Sequence, residues 1–297
     1  MDLTNCQLCP RACSVNRESG ELGFCGAGAK VKVALASLHQ WEEPCLVGEN
    51  GAGTVFFSHC NLHCVFCQNY EISQQGVGKV ISVERLAEIF LELQKRGAST
   101  LDLVTPTHYV PQIIDAVVRA KAQGFNLPIV YNSNAYETVA TIEALADIVD
   151  IFLPDFKYFS SITGKCYAQA IDYPQVAQAA IQQMFKQVGK PVFQGERLIR
   201  GVIVRHLVLP SHSQESLAIV QWLWQTFAND VYLSLMNQFT PLYKVANYPK
   251  LNRNLTSLEY NKVVKYAEKL GFSNCFIQTK NAAGQEFIPK FDGAGVE

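Results

Sequence analysis

Nowhere in this chain does an uninterrupted apolar run approach the ~20 residues that a helix needs to cross a bilayer, although hydrophobic residues make up 48% of it. An excess of either charge is missing as well. There are 25 basic and 26 acidic side chains, a formal net charge of −1, and no basic run longer than two residues. That balance argues against a nucleic-acid or anionic-membrane binder. The opening stretch MDLTNCQLCPRAC lacks a positive segment followed by an apolar one, so it does not read as a secretory leader. These absences predict a soluble, cytoplasmic protein without a membrane partner. Charged residues are only 17% of the 297, which is too few for a globally disordered chain and leaves enough apolar material for a large core.

What the chain does have is ten cysteines. In a reducing compartment these do not read as a disulfide framework, and metal binding or catalysis is the better explanation.

From residue 53 onward, continuous apolar β-type runs alternate with amphipathic helices. The strand candidates are 53–60, 100–106, 128–132, 148–157, 201–210 and 231–239. Their Val, Ile, Leu and Phe fall on consecutive positions, as in strands covered on both faces. Helical spacing places Leu86, Ile89, Phe90 and Leu93 on one face, and likewise Ile181, Met184, Phe185 and Val188, and Tyr260, Val263, Val264 and Ala267. Thr256 and Glu259 have capping-box spacing; Gly97, Gly124, Gly189 and Gly271 suit helix C-termini. Six βα units in series imply an α/β fold with a parallel sheet, too short to close as eight strands and so a partial (βα)6 barrel. Functional groups are then expected at the strand C-termini, where Cys60, Thr105, Asp155, Pro210 and Gln238 fall. The domain reading is a small cysteine-rich knot over 1–30, a bridge over 31–52 with a β-like run VKVALASLH, the core over 53–280, and an irregular surface tail over 281–297.

Cys60, Cys64 and Cys67 form CX3CX2C on the loop after the first strand of the series. Three thiolates can hold three irons of a cubane cluster and leave the fourth iron without a protein ligand. The closed alternative recruits His59 or His63 and makes a structural zinc site. A chance grouping of buried thiols fits poorly, because Asn61, His63 and Gln68 make no apolar face. Cys6, Cys9, Cys13 and Cys25 follow CX2CX3CX11C, a closed set suited to zinc or to a fully ligated [4Fe-4S] cluster. So small a knot needs a metal to hold it. Arg11 and Arg17 within it are expected to be solvated. Of the isolated cysteines, Cys166 and Cys275 read as core thiols, and Cys45 as a residue able to approach the substrate side. Arg205 and His206 interrupt an apolar strand; Arg205 needs a carboxylate, from a ligand or from the core.

With Phe66 just before the third cysteine, FFSHCNLHCVFCQN resembles the radical S-adenosylmethionine superfamily, and more narrowly the activating enzymes of glycyl-radical enzymes such as the pyruvate formate-lyase activator. CPRAC, EEPC, VTPTHYVP, LPDFKY and VRHLVLP extend the resemblance to an uncharacterised activator-like subgroup over almost the whole chain. It implies a [4Fe-4S] cluster on Cys60, Cys64 and Cys67 whose open iron takes the amine and carboxylate of S-adenosylmethionine, reductive cleavage to a 5′-deoxyadenosyl radical, and hydrogen abstraction from a substrate. It implies that Phe66 flanks the adenine, that Asp155 and Lys157 are the D-x-K element reaching the cofactor, and that a flavodoxin- or ferredoxin-type protein supplies electrons. It tilts the first cysteine set toward a second [4Fe-4S] cluster over zinc, and makes a glycyl-radical protein the leading substrate. Two departures stand out. VTPTHY replaces the usual Gly-Gly-Glu, leaving Thr105, Thr107, His108 and Arg205 as candidate cofactor contacts, and His59 stands where many activators have glycine.

Overall fold

The computed structural model describes residues 1–278 and 289–297. Ten strands run in chain order as β1 Val31–His39, β2 Ala52–Phe57, β3 Lys79–Ile81, β4 Leu101–Val104, β5 Ile129–Ser133, β6 Ile151–Pro154, β7 Val192–Gln194, β8 Arg197–Leu207, β9 Tyr232–Met236 and β10 Cys275–Ile277. The helices are α1 Pro44–Val47, α2 Tyr70–Ser73, α3 Val83–Lys95, α4 Val110–Lys121, α5 Val139–Glu143, α6 Ser161–Ala168, α7 Tyr173–Val188, α8 Ser213–Phe227 and α9 Ser257–Leu270.

The sheet order is β10-β9-β8-β6-β5-β4-β2-β1-β3. From β2 to β10 every neighbouring pair is parallel, whereas β1 lies antiparallel to both β2 and β3. All six expected strands are present, and short β10 adds a seventh parallel member that three residues of sequence could not announce. Among the described residues the sheet ends at β3 and β10, as in an open partial barrel. VKVALASLH is β1 itself.

Both faces of β2, β5 and β6 are buried along their whole lengths, which is why their apolar runs do not alternate. The helices bury the faces the spacing predicted: Leu86, Ile89, Phe90 and Leu93 on α3, Ile181, Met184 and Val188 on α7, Tyr260, Val263 and Ala267 on α9. The Thr256–Glu259 capping box forms at α9, and Gly271 ends it in the left-handed region at φ +103°. Among the described residues no helix is long and apolar enough to cross a membrane.

Two expectations change. Cys166 is exposed, because Ile162, Lys165 and Cys166 share the outer side of α6 while Thr163, Gly164 and Tyr167 turn inward. Cys45 is 7% exposed and packs with Leu46, Val130, Ile151, Leu153 and Ile203 inside the barrel; α1, whose first residue is Pro44, carries it in as an apolar plug. Of the tail, 281–288 lie outside the described residues. Residues 289–297 have no helix or strand, yet they dock on β1 through Gly293 N to Ala34 O and Ala36 N to Ala294 O, both 3.0 Å, and bury Val296.

Candidate functional site

The chain leaves β2 at Ser58, whose hydroxyl donates to Val77 O at 2.6 Å, and enters the cysteine loop at His59 with φ +78°. That left-handed backbone is the one glycine adopts without strain, so the loop keeps a glycine-like entry with a histidine in it. The His59 ring fills a slot between Gly26 and Gly76; a Cβ on Gly76 would stand 2.7 Å from the ring. His63 stacks on Phe24 at 4.5 Å. Burial lowers the pKa of both, that of His59 to about 4. These are packing roles. His59→Gly and His63→Ala are therefore expected to leave iron content after anaerobic reconstitution unchanged, as read by an iron assay.

All ten cysteines are free thiols. At the loop, Cys60 Sγ accepts from Leu62 N and Asn134 Nδ2, each at 3.4 Å, and Cys64 Sγ accepts from the Tyr158 hydroxyl at 3.4 Å. Cys67 Sγ lies 3.3 Å from Ser73 Oγ. Every sulfur of CX3CX2C thus has a hydrogen-bonding partner beside it, an arrangement that stabilises thiolate and tunes a metal–sulfur centre. Burial pushes the free Cys64 thiol up to about 12, so only a metal would hold this sulfur ionised at neutral pH. Among the described residues no three His, Cys, Asp or Glu side chains are gathered to hold a single ion, and neither loop histidine is turned into a fourth ligand. The donor set fits a three-cysteine [4Fe-4S] cluster, the group typical of proteins with this motif together with S-adenosylmethionine.

The D-x-K pair forms at the end of β6. Lys157 Nζ donates to Asp155 Oδ2 at 2.7 Å, and Arg205 Nε on β8 donates to Asp155 Oδ1 at 2.8 Å. Burial alone would weaken the Lys157 charge, but Asp155 and the nearby Cys64 raise its pKa. Lys157 therefore stays a cation within electrostatic reach of the cluster loop. Arg205 also donates to Asn132 Oδ1 at 2.6 Å and reaches Glu42 at 3.5 Å. Its carboxylates come from the protein, which is the core alternative rather than a direct cofactor contact. Glu42 and Glu43 arrive from the segment before α1. With fully buried Asp102 they make an acidic layer around Arg205, and burial, then proximity to Glu42, raises the Asp102 carboxyl well above its ordinary range.

The other expected cofactor contacts are placed as follows. Phe66 is 8% exposed and packs against Phe239 and Tyr158 at 5.8 and 6.4 Å, filling the underside of the loop. Thr105 follows β4 at φ +56°, at the rim. His108 is buried with Nε2 2.7 Å from Ser58 O, bracing the loop entry from the side of the N-terminal knot. His206 is neutral, its pKa lowered to about 4 by burial, and is held by Phe156 O and Ser216 Oγ.

Thr107 donates to Glu137 Oε1 at 2.5 Å. Burial raises the Glu137 carboxyl to about 8 from an ordinary 4.5. The native state thus binds a proton that the unfolded chain releases, so this contribution is complete below the ordinary glutamate range and is lost as pH rises from there through about 8. Glu137→Gln is expected to remove that dependence. Denaturant titrations should show wild-type stability falling relative to the variant over that window, by no more than about 1.4 kcal/mol per pH unit.

The four cysteines of residues 1–30 line one cavity. Arg17 there is buried and Arg11 is half-buried, and both are tied to backbone oxygens of the barrel. Arg17 is 2% exposed and donates to His108 O at 2.7 Å, and Arg11 donates from Nε to Asn61 O at 2.9 Å and from Nη2 to Ala168 O at 2.9 Å. Both span from the knot to the barrel, a role that tertiary contact alone assigns. Asn61, Asn134 and Tyr158 escaped the reading of the sequence. Asn134 and Tyr158 follow β5 and β6 closely, so the strand-end rule could have found them.

This site coincides with what comparison shows. The Radical SAM superfamily matches residues 54–217, more than half of the chain. The uncharacterized protein MJ0674 of Methanocaldococcus jannaschii is 32% identical over 276 residues, 89% of this chain and 75% of that protein. A second from the same organism, MJ0808, is 23% identical over 265 residues, 82% of this chain and 73% of the other. Among solved structures, Streptococcus suis SuiB bound to precursor peptide SuiA aligns with TM-score 0.49 and 13% identity, over 74% of this chain and 46% of that one. Methylornithine synthase (PylB) aligns with TM-score 0.45 and 13% identity, over 73% and 68%. This chain thus spans about half of SuiB. With its cysteine loop and D-x-K pair inside the matched segment, the chain belongs to the radical SAM superfamily.

Proposed function

We propose that the protein is a radical S-adenosylmethionine enzyme whose cluster is held by Cys60, Cys64 and Cys67. The observation that carries this reading is the set of three thiols on the loop after the C-terminal end of β2, each with a hydrogen-bonding partner. When bound, the cluster and S-adenosylmethionine supply reductive cleavage to methionine and a 5′-deoxyadenosyl radical. The chain's own residues bind, orient and exclude water. Asn134, Tyr158 and Ser73 set the charge on the sulfurs. Lys157 presents a cation toward the loop, and Asp155 and Arg205 hold it in place. Phe66, Phe239 and Tyr158 keep the loop's underside dry.

The finer reading is hydrogen abstraction from a protein, with activation of a glycyl-radical enzyme as the leading case. A sheet that ends, among the described residues, at β3 and β10 supports it, because an open barrel can admit a backbone segment from the side. The test is anaerobic incubation of reconstituted protein with dithionite and S-adenosylmethionine. Formation of 5′-deoxyadenosine and methionine is expected, and their absence rejects the enzyme reading. Anaerobic capture with S-adenosylmethionine present, followed by EPR of the captured protein for a glycyl radical, tests the substrate.

A further inference from the structure

Cys6, Cys9, Cys13 and Cys25 do not converge on a point. They line one small, partly enclosed cavity. A single zinc ion draws its four sulfurs to about 2.3 Å from one centre, and among the described residues no such gathering exists. N–H groups are aimed at three of the four sulfurs: Phe24 N to Cys13 Sγ at 3.3 Å, Ala27 N to Cys25 Sγ at 3.5 Å, and Arg17 Nη1 to Cys6 Sγ at 3.8 Å. Gly23 permits the closest of these approaches, since a Cβ there would stand 2.9 Å from Cys13 Sγ. Arg17 is buried, its Nε has no partner, and among the described residues it meets no carboxylate. A buried cation needs an anion, and a four-thiolate cluster beside it is one.

The cavity is also wired to the radical site. Arg11, two residues after Cys9, donates from Nε to the backbone oxygen of Asn61, the residue after Cys60, at 2.9 Å. Asn61 Oδ1 accepts from Asn134 Nδ2 at 2.7 Å, and the same Nδ2 donates to Cys60 Sγ at 3.4 Å. A side-chain hydrogen bond from Arg11, between Cys9 and Cys13, to the neighbour of Cys60 thus joins the two cysteine sets. On the far side the knot is open to solvent at Ala12, Ser14, Glu21 and Leu22. Electron tunnelling falls steeply with distance and favours such bonded continuity.

We infer that the knot holds a [4Fe-4S] cluster that serves as the electron entry to the radical site, through the Arg11–Asn61–Cys60 connection. The inference rests on the radical-enzyme reading above for its second half only. A low-potential one-electron protein donor of flavodoxin or ferredoxin class gives one electron to the knot cluster and is itself oxidised by one. That electron passes on to the cluster of Cys60, Cys64 and Cys67, and the knot cluster returns to its oxidised state.

Two measurements test this. The chain carrying Cys60→Ala, Cys64→Ala and Cys67→Ala is loaded anaerobically with ferrous iron and sulfide, or with Zn2+ alone. About four irons per chain, against about eight in the wild type, and a dithionite-induced EPR signal are expected. Zinc retention without iron, or about four irons in the wild type, overturns the cluster. For the relay, Cys6→Ser with Cys13→Ser is compared with wild type for 5′-deoxyadenosine formed with a reduced flavodoxin or ferredoxin, relative to that formed with dithionite. That ratio should fall about tenfold or more, and an unchanged ratio overturns the relay. If wild type yields no 5′-deoxyadenosine with dithionite, the enzyme reading has failed, and the iron count still decides the cluster.

Discussion

A chain carrying Cys60→Ala, Cys64→Ala and Cys67→Ala is expected to form no 5′-deoxyadenosine above background while remaining folded. The loss should be complete because the three sulfurs act as one unit, and without them no thiolate of the loop remains to hold the cubane. Folding should survive because Cys60 and Cys67 are only partly buried and β2 and α2 bound the loop on either side. Circular dichroism checks the fold, and product analysis by chromatography checks the chemistry. Any surviving turnover would place the reactive cluster elsewhere. A graded counterpart is Tyr158→Phe, which removes the only hydroxyl donor to Cys64 among the described residues. Changes to groups that orient a metal's ligands typically cost ~10–100-fold in affinity or activity.

The largest effect on stability is expected from Arg205→Met. The Arg205 side chain is 16% exposed and is shared by Asp155, Asn132 and Glu42. Removing one partner of a buried pair leaves charge uncompensated and costs about 3–5 kcal/mol. Here the acidic layer of Glu42, Glu43 and Asp102 would lose the guanidinium that offsets it, and only Lys157 would still face Asp155. Burial tends to raise the Asp155 carboxyl, but Arg205 and Lys157 hold it below the ordinary aspartate range. A depressed carboxyl stabilises the fold above its unfolded pKa and fails as pH falls through the folded one. Wild type should therefore keep this contribution to a lower pH than Arg205→Met. Urea titrations at neutral and acid pH measure both effects. Arg119→Ala, which breaks exposed pairs with Asp115 and Glu84, should change stability little by comparison.

Covalent spacing and local pattern were enough for the ligand set of the reactive loop and for the parallel βα series of the sheet. CX3CX2C brings its ligands within one turn-rich loop, a property of neighbours in sequence. Continuous apolar runs declare strands that are buried on both faces wherever they pack. The capping box at Thr256 and Glu259 is local in the same sense. Pairings between distant residues could not be read this way. Arg17 and Arg11 read as surface charges because nothing within a few residues neutralises them, and only docking of the knot on the barrel supplies His108 O, Asn61 O and Ala168 O. EEPC looked like an approach to substrate, yet its glutamates meet Arg205 some 160 positions away and its cysteine plugs the core. Tertiary structure alone decided that the two cysteine sets are neighbours, because Arg11 of the knot reaches Asn61 O only once the knot docks on the barrel, and the Asn61 and Asn134 side chains meet only once β2 and β5 lie in one sheet.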